Sequence, residues 1–382
     1  MNSLMKLAVW KKPMMTPETD NAWMSRAIAL AEKGRLTTTP NPNVGCVLVK
    51  DNQLVGEGYH IKAGTAHAEV HALAQAGAAA KGATAYVTLE PCSHYGRTPP
   101  CAEALIKAGV ARVVCAGLDP NPLVAGRGIE MLKQAGIEVT MDVLAEQAAS
   151  LNPGFLKRMR TGLPHVTVKM AASLDGATAM NSGESQWITG PQAREDVQQG
   201  RASSCAIVTG IGTVLADDPS LNVRLADCTR QPARIILDTH ARTPVAAKIG
   251  KIPGETYVIH SDQAASERIA ALNKAGFHCV TLPVSEGHID LRAFLTWAGQ
   301  QPFNQLWIEA GATLAGALLT QGLVDEVVLY QALIMMGSQT RPLLNTEFTQ
   351  LKDAIAFDCI EVDMVGADTR WRLKPRMSGA TE

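Results

Sequence analysis

Apolar and polar residues alternate along residues 20–150 with two different periods. Helical spacing predicts four helices, at about 23–32, 67–75, 102–108 and 129–135. Shorter apolar runs predict five strands, at about 44–49, 54–59, 85–89, 112–116 and 138–143. A loop rich in Thr, Pro and Asn separates the first helix from the first strand. Strands that alternate with helices predict an α/β sheet that is covered on both faces.

The pattern changes over residues 154–164, where a basic stretch ends in a turn at Gly162. A second α/β series follows, with strands predicted at about 166–170, 206–209, 234–237, 256–259, 279–282, 306–309 and 326–330. We therefore predict one domain over 17–163 and another over 164–376. Residues 1–16 carry no periodic pattern and are predicted to be an N-terminal extension, with 377–382 as a short tail.

Composition narrows the classes of protein to consider. Hydrophobic residues make up 46% of the chain, which is ordinary for a globular protein with a core. The 35 basic and 36 acidic residues nearly cancel, which argues against a nucleic-acid partner. No apolar stretch approaches the ~20 residues of a membrane span, and the run from Leu7 to Trp10 is too short for a signal peptide. We expect a cytoplasmic protein with no membrane partner.

The most informative motif combines His67-Ala68-Glu69 with Cys92 and Cys101. One imidazole and two thiolates suit a zinc ion, and three protein ligands leave a fourth position for water. Glu69 would then carry a proton between the water and a departing amine. Residues i and i+2 lie roughly 200° apart in mid-helix, so His67 and Glu69 can share a site only in the first helical turn.

Several alternatives to this interpretation stay open at the level of the residues. The zinc-deaminase signature is H-x-E with P-C-x-x-C, but eight residues separate Cys92 from Cys101 here. His71 would allow a comparison with H-E-x-x-H metalloproteases, although the glutamate is at +2 and not at +1. A nucleic-acid deaminase would need a basic surface or stacking aromatics, and aromatic residues are only 4%. A structural zinc module would use four protein ligands and would leave Glu69 without a role.

The second half of the chain contains no G-x-G-x-x-G, so its residues alone leave the cofactor open. Residues 309–317 follow an apolar strand and open a helix of small residues. Such a turn presents free backbone N–H groups that can bind a pyrophosphate. A tightly packed helix explains the same small residues equally well.

Longer motifs resemble the bifunctional riboflavin-biosynthesis deaminase–reductase family. In the first half they are the stretch from Cys92 to Cys101 and residues 40–45, 67–72 and 119–128. In the second half they are Lys169 and residues 173–176, 183–189 and 210–219. The resemblance covers about 20–375.

This resemblance implies a cytidine-deaminase-like three-layer α/β/α domain followed by a dihydrofolate-reductase-like α/β domain. The first would use one zinc ion per chain to deaminate 2,5-diamino-6-ribosylamino-4(3H)-pyrimidinone 5′-phosphate. The second would use NADPH to reduce the ribosyl group to ribityl, giving 5-amino-6-ribitylamino-uracil 5′-phosphate. The implied partner is this small phosphorylated pyrimidine, and we expect the chain to form a homo-oligomer.

The resemblance also implies a role for individual residues. Zinc would be held by His67, Cys92 and Cys101, with Glu69 and Lys169 as the catalytic residues of the two sites. The deaminase substrate would contact Asn41, His94, Arg97, Asp119 and Asn121. NADPH would contact Ala171, Trp187, Thr213, Asp217, Gly311, Ala312, Thr313, Leu314, Ala315, Gly316 and Ala317. The reductase substrate would contact Ser185, Arg201, Leu221, Arg224 and Glu309, with the two arginines on its phosphate.

Overall fold

The computed structural model describes residues 17–95, 99–122, 124–226, 228 and 230–376. Contacts between Cα atoms divide the chain into two units. The first unit combines the chain up to Gly34 with residues 43–151, and the second combines residues 35–42 with the chain from Asn152 onward. Both units alternate helices with strands, which confirms the predicted α/β class.

The first unit contains a five-stranded sheet with helices on both faces. Its elements are α1 (Pro17–Glu32), β1 (Gly45–Lys50), β2 (Gln53–Tyr59), α2 (Ala68–Ala76), β3 (Thr84–Val87), α3 (Cys101–Ala108), β4 (Arg112–Cys115), α4 (Arg127–Gln134), β5 (Glu138–Thr140) and α5 (Ala145–Ser150). The strand order is β2-β1-β3-β4-β5. Strands β1 and β2 are antiparallel, whereas β3, β4 and β5 run parallel to one another.

Strand β1 shows how the sequence builds the three layers of this unit. Successive side chains of a strand point to opposite faces of the sheet. Cys46 and Leu48 pack into the core formed with α2, α3 and α4. Val47 and Val49 pack into the opposite core, where α1 contributes Met24. A strand buried on both faces therefore appears in the sequence as a continuous apolar run.

Glycines of β2 bring helix α2 close to the sheet. A Cβ on Gly58 would lie 2.6 Å from the backbone oxygen of Ala68, and a Cβ on Gly56 would lie 2.3 Å from that of Ala72. Any side chain at either position would push the helix away. The close approach fixes the N-terminal end of α2, where His67 is the N-cap residue.

The second unit contains a larger, mostly parallel sheet. Its helices are α6 (Pro153–Thr161), α7 (Pro191–Ser203), α8 (Ile211–Asp217), α9 (Ser266–Lys274), α10 (Leu291–Gln300) and α11 (Ala312–Thr320). Its strands are β6 (His165–Ser173), β7 (Ala177–Met180), β8 (Ala206–Gly210), β9 (Ala233–Leu237), β10 (Thr256–His260), β11 (His278–Thr281), β12 (Val284–Ser285), β13 (His288–Ile289), β14 (Gln305–Glu309), β15 (Glu326–Ala332), β16 (Thr340–Pro342), β17 (Phe357–Val365) and β18 (Asp368–Pro375). The main sheet has the order β11-β10-β9-β8-β14-β6-β15-β18-β17.

The centre of the second sheet is buried on both faces. Leu306 and Ile308 of β14 pack into one core, while Trp307 packs into the other. Strand β14 pairs in parallel with β8 on one side and with β6 on the other. Because parallel strands end at the same edge, their carboxyl ends converge in the way that commonly forms ligand sites in α/β proteins.

The edge of the second sheet was not predicted from the sequence. Strands β17 and β18 form an antiparallel hairpin. Strand β18 also pairs antiparallel with β15, which joins the hairpin to the parallel part of the sheet. Most residues of β17 are exposed, so it has no apolar run to recognise. Ion pairs across the hairpin join its strands instead, with Arg370 paired to Asp363 and Arg372 to Glu361. The short antiparallel pair β7–β16 was missed for the same lack of an apolar pattern.

The helices of both units are short. The longest, α1, has 16 residues, and the others have between 6 and 13. Within the ranges that the structure describes, no helix is long and apolar enough to cross a membrane.

Candidate active sites

Three zinc-type ligands of the first unit come together at the ends of two helices. His67 caps α2, Cys101 is the first residue of α3, and Cys92 lies in the loop between β3 and α3. The Nδ1 atom of His67 lies 3.3 Å from Sγ of Cys101 and 3.6 Å from Sγ of Cys92. All three ligand atoms lie within 4.8 Å of one another.

These separations fit a tetrahedral zinc ion. With Zn–S near 2.3 Å and Zn–N near 2.0–2.1 Å, a tetrahedral ion separates its sulfur and nitrogen ligands by roughly 3.5 Å. The Cys92 sulfur also accepts a hydrogen bond from the backbone N–H of Cys101, at 3.3 Å. Hydrogen bonding to the Cys101 side chain lowers the pKa of Cys92 below its ordinary value, and the same contact raises the pKa of Cys101. Two cysteine sulfurs and an imidazole at these separations form a donor set that suits zinc.

Glu69 lies beside these ligands, in the first turn of α2. Its side chain is 3% exposed, and its Oε2 atom has no hydrogen-bond partner among the described residues. Burial raises the pKa of this carboxyl above its ordinary value. A buried carboxylate oxygen without a hydrogen-bond partner is costly, and an atom left free in this way can take up a proton. His71 is not among the three clustered ligands, so the metalloprotease alternative gains no support from the described residues.

The other predicted deaminase residues differ in where they lie. Asp119 is 7% exposed, and burial raises the pKa of its carboxyl to about 6. Its Oδ1 atom accepts a hydrogen bond from the backbone N–H of Asn121 at 2.8 Å. His94 is exposed and lines a shallow groove of about 480 Å³. Arg97 lies outside the described residues. Asn41 belongs to the segment that groups with the second unit, so its role at the deaminase site stays a prediction.

The second unit contains a cavity of about 2000 Å³. It opens where the carboxyl ends of β8, β9 and β14 meet the turns that follow them. The predicted reductase residues that line it are Lys169, Ala171, Ser185, Trp187, Arg201, Thr213, Asp217, Leu221, Arg224, Glu309, Gly311, Ala312, Thr313, Leu314 and Ala317. The structure thus brings together residues that are distributed over much of the second half of the sequence.

Two predicted NADPH residues do not line this cavity. Ala315 is fully buried in the core, and a Cβ on Gly316 would lie 2.8 Å from the side chain of Thr346. The reason is helical geometry, because seven consecutive residues cover nearly two turns of α11 and cannot all face one side. Gly311 is better placed, since it lines the cavity and a Cβ there would meet nothing within 4 Å.

Two of the charged residues in this cavity neutralise each other. The Nε and Nη2 atoms of Arg201 donate to the carboxylate of Glu309 at 2.6 and 2.8 Å, and Nη1 donates to the backbone oxygen of Asn222. Burial alone would raise the pKa of Glu309, but the Arg201 guanidinium and then Lys169 lower it to about 2. Arg224 is exposed, which makes it the better of the two predicted arginines for meeting a phosphate.

Trp187 offers a flat apolar surface at the cavity wall. Its side chain is 68% exposed, and the Arg194 guanidinium lies over the ring at 4.5 Å from the ring centre. The Nη1 atom of Arg194 donates to the backbone oxygen of Thr189 at 2.8 Å, which holds this cation over the ring. Arg194 lines the cavity but was missed from the sequence, because nothing in its spacing from Trp187 indicates stacking.

Comparisons with known proteins match both halves of the chain. A family model described as "Cytidine and deoxycytidylate deaminase zinc-binding region" matches residues 17–117, and one described as "RibD C-terminal domain" matches residues 164–369. The riboflavin biosynthesis protein RibD of Escherichia coli K12 is 52% identical over 362 residues, covering 91% of this chain and 97% of that relative. The chain belongs to the RibD family. It is therefore a bifunctional riboflavin-biosynthesis deaminase and reductase that uses zinc and NADPH.

Solved structures of RibD proteins agree over nearly the whole chain. Acinetobacter baumannii RibD superposes with a TM-score of 0.88 at 48% identity, covering 95% of this chain and 100% of that one. A Thermotoga maritima protein described as a diaminohydroxyphosphoribosylaminopyrimidine deaminase/5-amino-6-(5-phosphoribosylamino)uracil reductase superposes with a TM-score of 0.84 at 30% identity, covering 94% and 99%. The RibD fold thus extends through both units of this chain.

Proposed function

We propose that the two reactions of this RibD-family enzyme occur at the two sites described above. Deamination of the phosphorylated diaminopyrimidine is assigned to a domain over 17–163, and reduction of the ribosyl group to a domain over 164–376. The observation that carries the first assignment is the clustering of His67, Cys92 and Cys101 beside the buried Glu69, whose Oε2 atom has no hydrogen-bond partner among the described residues.

The deaminase step replaces a ring C–NH₂ with C=O and releases ammonia. When bound, zinc supplies a water molecule that is activated for attack on the ring carbon. Glu69 takes up the proton of this water at its free Oε2 atom and passes it to the departing amine.

The remaining deaminase residues bind the substrate in this proposal. The Asp119 carboxylate accepts a hydrogen bond from the backbone N–H of Asn121. Asp119 presents its carboxylate and Asn121 its side-chain amide to the polar edge of the pyrimidine. Arg97 and His94 are assigned to the substrate, with Arg97 as the cation that meets its phosphate. Asn41 completes the predicted set.

The reductase step takes place in the cavity of the second unit. When bound, NADPH supplies the hydride that reduces the ribosyl carbon. The turn at Gly311 presents the backbone N–H groups at the start of α11 to the pyrophosphate. Trp187 supplies a flat wall for the cofactor, and Arg224 meets the substrate phosphate. Lys169 lines the same cavity and is assigned to hold or transfer a proton, since burial lowers its pKa.

We also propose a cytoplasmic homo-oligomer. The outer strand β17 presents Ile360, Val362 and Met364 with exposed fractions of 52%, 49% and 62%. An exposed apolar edge strand is a ready surface for pairing with another chain. Light scattering on the wild-type protein and on a Val362→Lys variant tests this proposal. The proposal predicts a smaller particle for the variant than for the wild-type protein, and it fails if both proteins are monomers.

Separate assays test the division of labour. A Glu69→Gln variant is expected to lose ammonia release while it still oxidises NADPH when given the deaminated intermediate. A Lys169→Met variant is expected to release ammonia normally and to lose NADPH oxidation. Loss of both activities in a folded single variant would contradict the assignment of the two sites.

A further inference from the structure

Glu90 makes an unusual number of contacts for a residue with no assigned role. It lies two residues before Cys92 and is 4% exposed. Its Oε2 atom accepts hydrogen bonds from the N–H groups of Asp119 at 3.2 Å and Gly126 at 2.9 Å. Its Oε1 atom accepts from Gly128 at 2.9 Å and Ile129 at 3.3 Å. One carboxylate therefore holds four backbone groups of the segment 119–129.

An ionised carboxylate is the group that this position requires. Gly128 and Ile129 belong to the first turn of α4, where N–H groups lack partners within the helix and the helix dipole favours a negative charge. All four partners are donors, so both oxygens of the side chain must accept. A glutamine has one oxygen and one NH₂ group, and its NH₂ would face two N–H groups.

A close backbone contact supports the same arrangement. A Cβ on Gly128 would lie 2.0 Å from the backbone oxygen of Pro91 and 3.2 Å from Oε1 of Glu90. The start of α4 is therefore seated directly against the loop that leads to Cys92. Nothing but glycine fits here without moving one segment from the other.

We infer that Glu90 is a positioning residue of the deaminase reaction, which holds Asp119 at a fixed place relative to the zinc-ligand loop. The inference rests on the proposed role of Asp119 in substrate binding. Both oxygens of Glu90 are occupied by backbone N–H groups, so it acts by fixing the backbone from which the Asp119 side chain projects. Because the reductase cavity lies in the other unit, its activity serves as a control within the same chain.

The test compares the full-length Glu90→Gln variant with Glu146→Gln. Glu146 is exposed and occupies the first turn of α5 in the same unit, so it controls for loss of a helix-terminal carboxylate. In Glu90→Gln we expect one zinc ion per chain and unchanged NADPH oxidation with the deaminated intermediate. We expect the KM for ammonia release to rise about 10- to 100-fold, the effect of losing a charged hydrogen bond. Hydrogen exchange over 119–129 should become faster.

A double variant shows whether Glu90 acts through Asp119. If it does, adding Glu90→Gln to Asp119→Asn should raise KM much less than it does in the wild-type chain. Full additivity, or wild-type KM in Glu90→Gln, would overturn the inference. Loss of zinc in step with activity would also overturn it, because Glu90 would then support the metal loop.

Two further variants keep the outcomes distinct. Glu90→Asp retains the charge on a shorter side chain and should recover part of the deaminase activity that Glu90→Gln loses. No recovery relative to Glu90→Gln would contradict the inference. If the Glu90→Gln variant does not fold, Glu90→Asp takes its place in the test. If Asp119→Asn alone leaves KM unchanged, the proposed role of Asp119 fails. If Asp119→Asn raises KM and Glu90→Gln does not, only the positioning role fails.

Discussion

Replacing Glu69 with glutamine tests its proposed role as a proton carrier. The two side chains have nearly the same shape, and Glu69 is not one of the three clustered ligands. Its Oε2 atom has no hydrogen-bond partner among the described residues, so the substitution breaks no hydrogen bond of that atom. A neutral amide is also less costly to bury than a carboxylate with one unsatisfied oxygen. We therefore expect Glu69→Gln to keep its zinc and to melt at the wild-type temperature or above it.

The effect on deamination should be large. General acid–base groups contribute typically about 10²- to 10⁴-fold in rate, which corresponds to roughly 2.7–5.4 kcal/mol of activation free energy at 1.36 kcal/mol per decade. The loss should fall mainly on kcat, because in the proposed mechanism Glu69 acts on the water and the departing amine. The proposed substrate contacts, such as Asp119, are unchanged, so KM should change much less.

Ammonia release measures this prediction, with metal analysis on the same samples. Glu146→Gln is the matched control, since it removes an exposed glutamate from the corresponding turn of another helix. Wild-type turnover in a zinc-loaded Glu69→Gln enzyme would refute the proton-carrier role. A parallel loss of zinc would show instead that Glu69 supports the metal site.

Four other predictions follow from the geometry. Cys92→Ala and Cys101→Ala should each bind less than one zinc ion per chain by elemental analysis, and full retention in both would contradict the ligand set. Arg224→Ala should raise the KM of the reductase substrate about 10- to 100-fold. It should leave the Kd of NADPH, measured by fluorescence titration, unchanged. Weaker NADPH binding with an unchanged substrate KM would mean that the two pockets are exchanged. Gly311→Leu should weaken NADPH binding, because its side chain would enter the cavity. Burial raises the pKa of Asp119 to about 6, so its carboxylate is protonated below that pH. Deaminase kcat/KM should therefore fall as pH drops through about 6. The same inflection in Asp119→Asn would show that Asp119 does not cause this pH dependence.

The zinc site could be predicted from the sequence because its chemistry is local. An imidazole and two thiolates have few alternative uses in combination, and the first-turn argument required His67 to lie at a helix start. The structure places His67 at the N-cap of α2 and Cys101 at the first residue of α3. The apolar runs of the central strands were equally clear, since burial on both faces leaves a continuous pattern.

Contacts that depend on strand order could not be predicted. Arg201 and Glu309 are separated by 108 positions and meet because β14 and α7 are brought together by the sheet. The sequence therefore suggested two independent phosphate-binding arginines, whereas the structure pairs one of them with a carboxylate. The role of Glu90 was also missed, because its four partners are backbone N–H groups, which have no signature in a sequence.

The rotation of a helix was a third limit. The sequence predicts residues 311–317 as one cofactor-binding run, but Ala315 and Gly316 do not line the cavity. At 3.6 residues per turn, a run of small residues does not reveal which side faces a ligand.

The most direct test of two linked reactions follows ammonia and NADPH together in one reaction mixture. With the diaminopyrimidine ribosyl phosphate as substrate, we predict one ammonia released for each NADPH oxidised, and no NADPH oxidation once zinc is removed by a chelator. The zinc-free enzyme should still oxidise NADPH when it is given the deaminated intermediate. NADPH oxidation by the zinc-free enzyme with the original diamino substrate would contradict the proposed order, and failure of the zinc-free enzyme to oxidise NADPH with the deaminated intermediate would contradict the separation of the two sites.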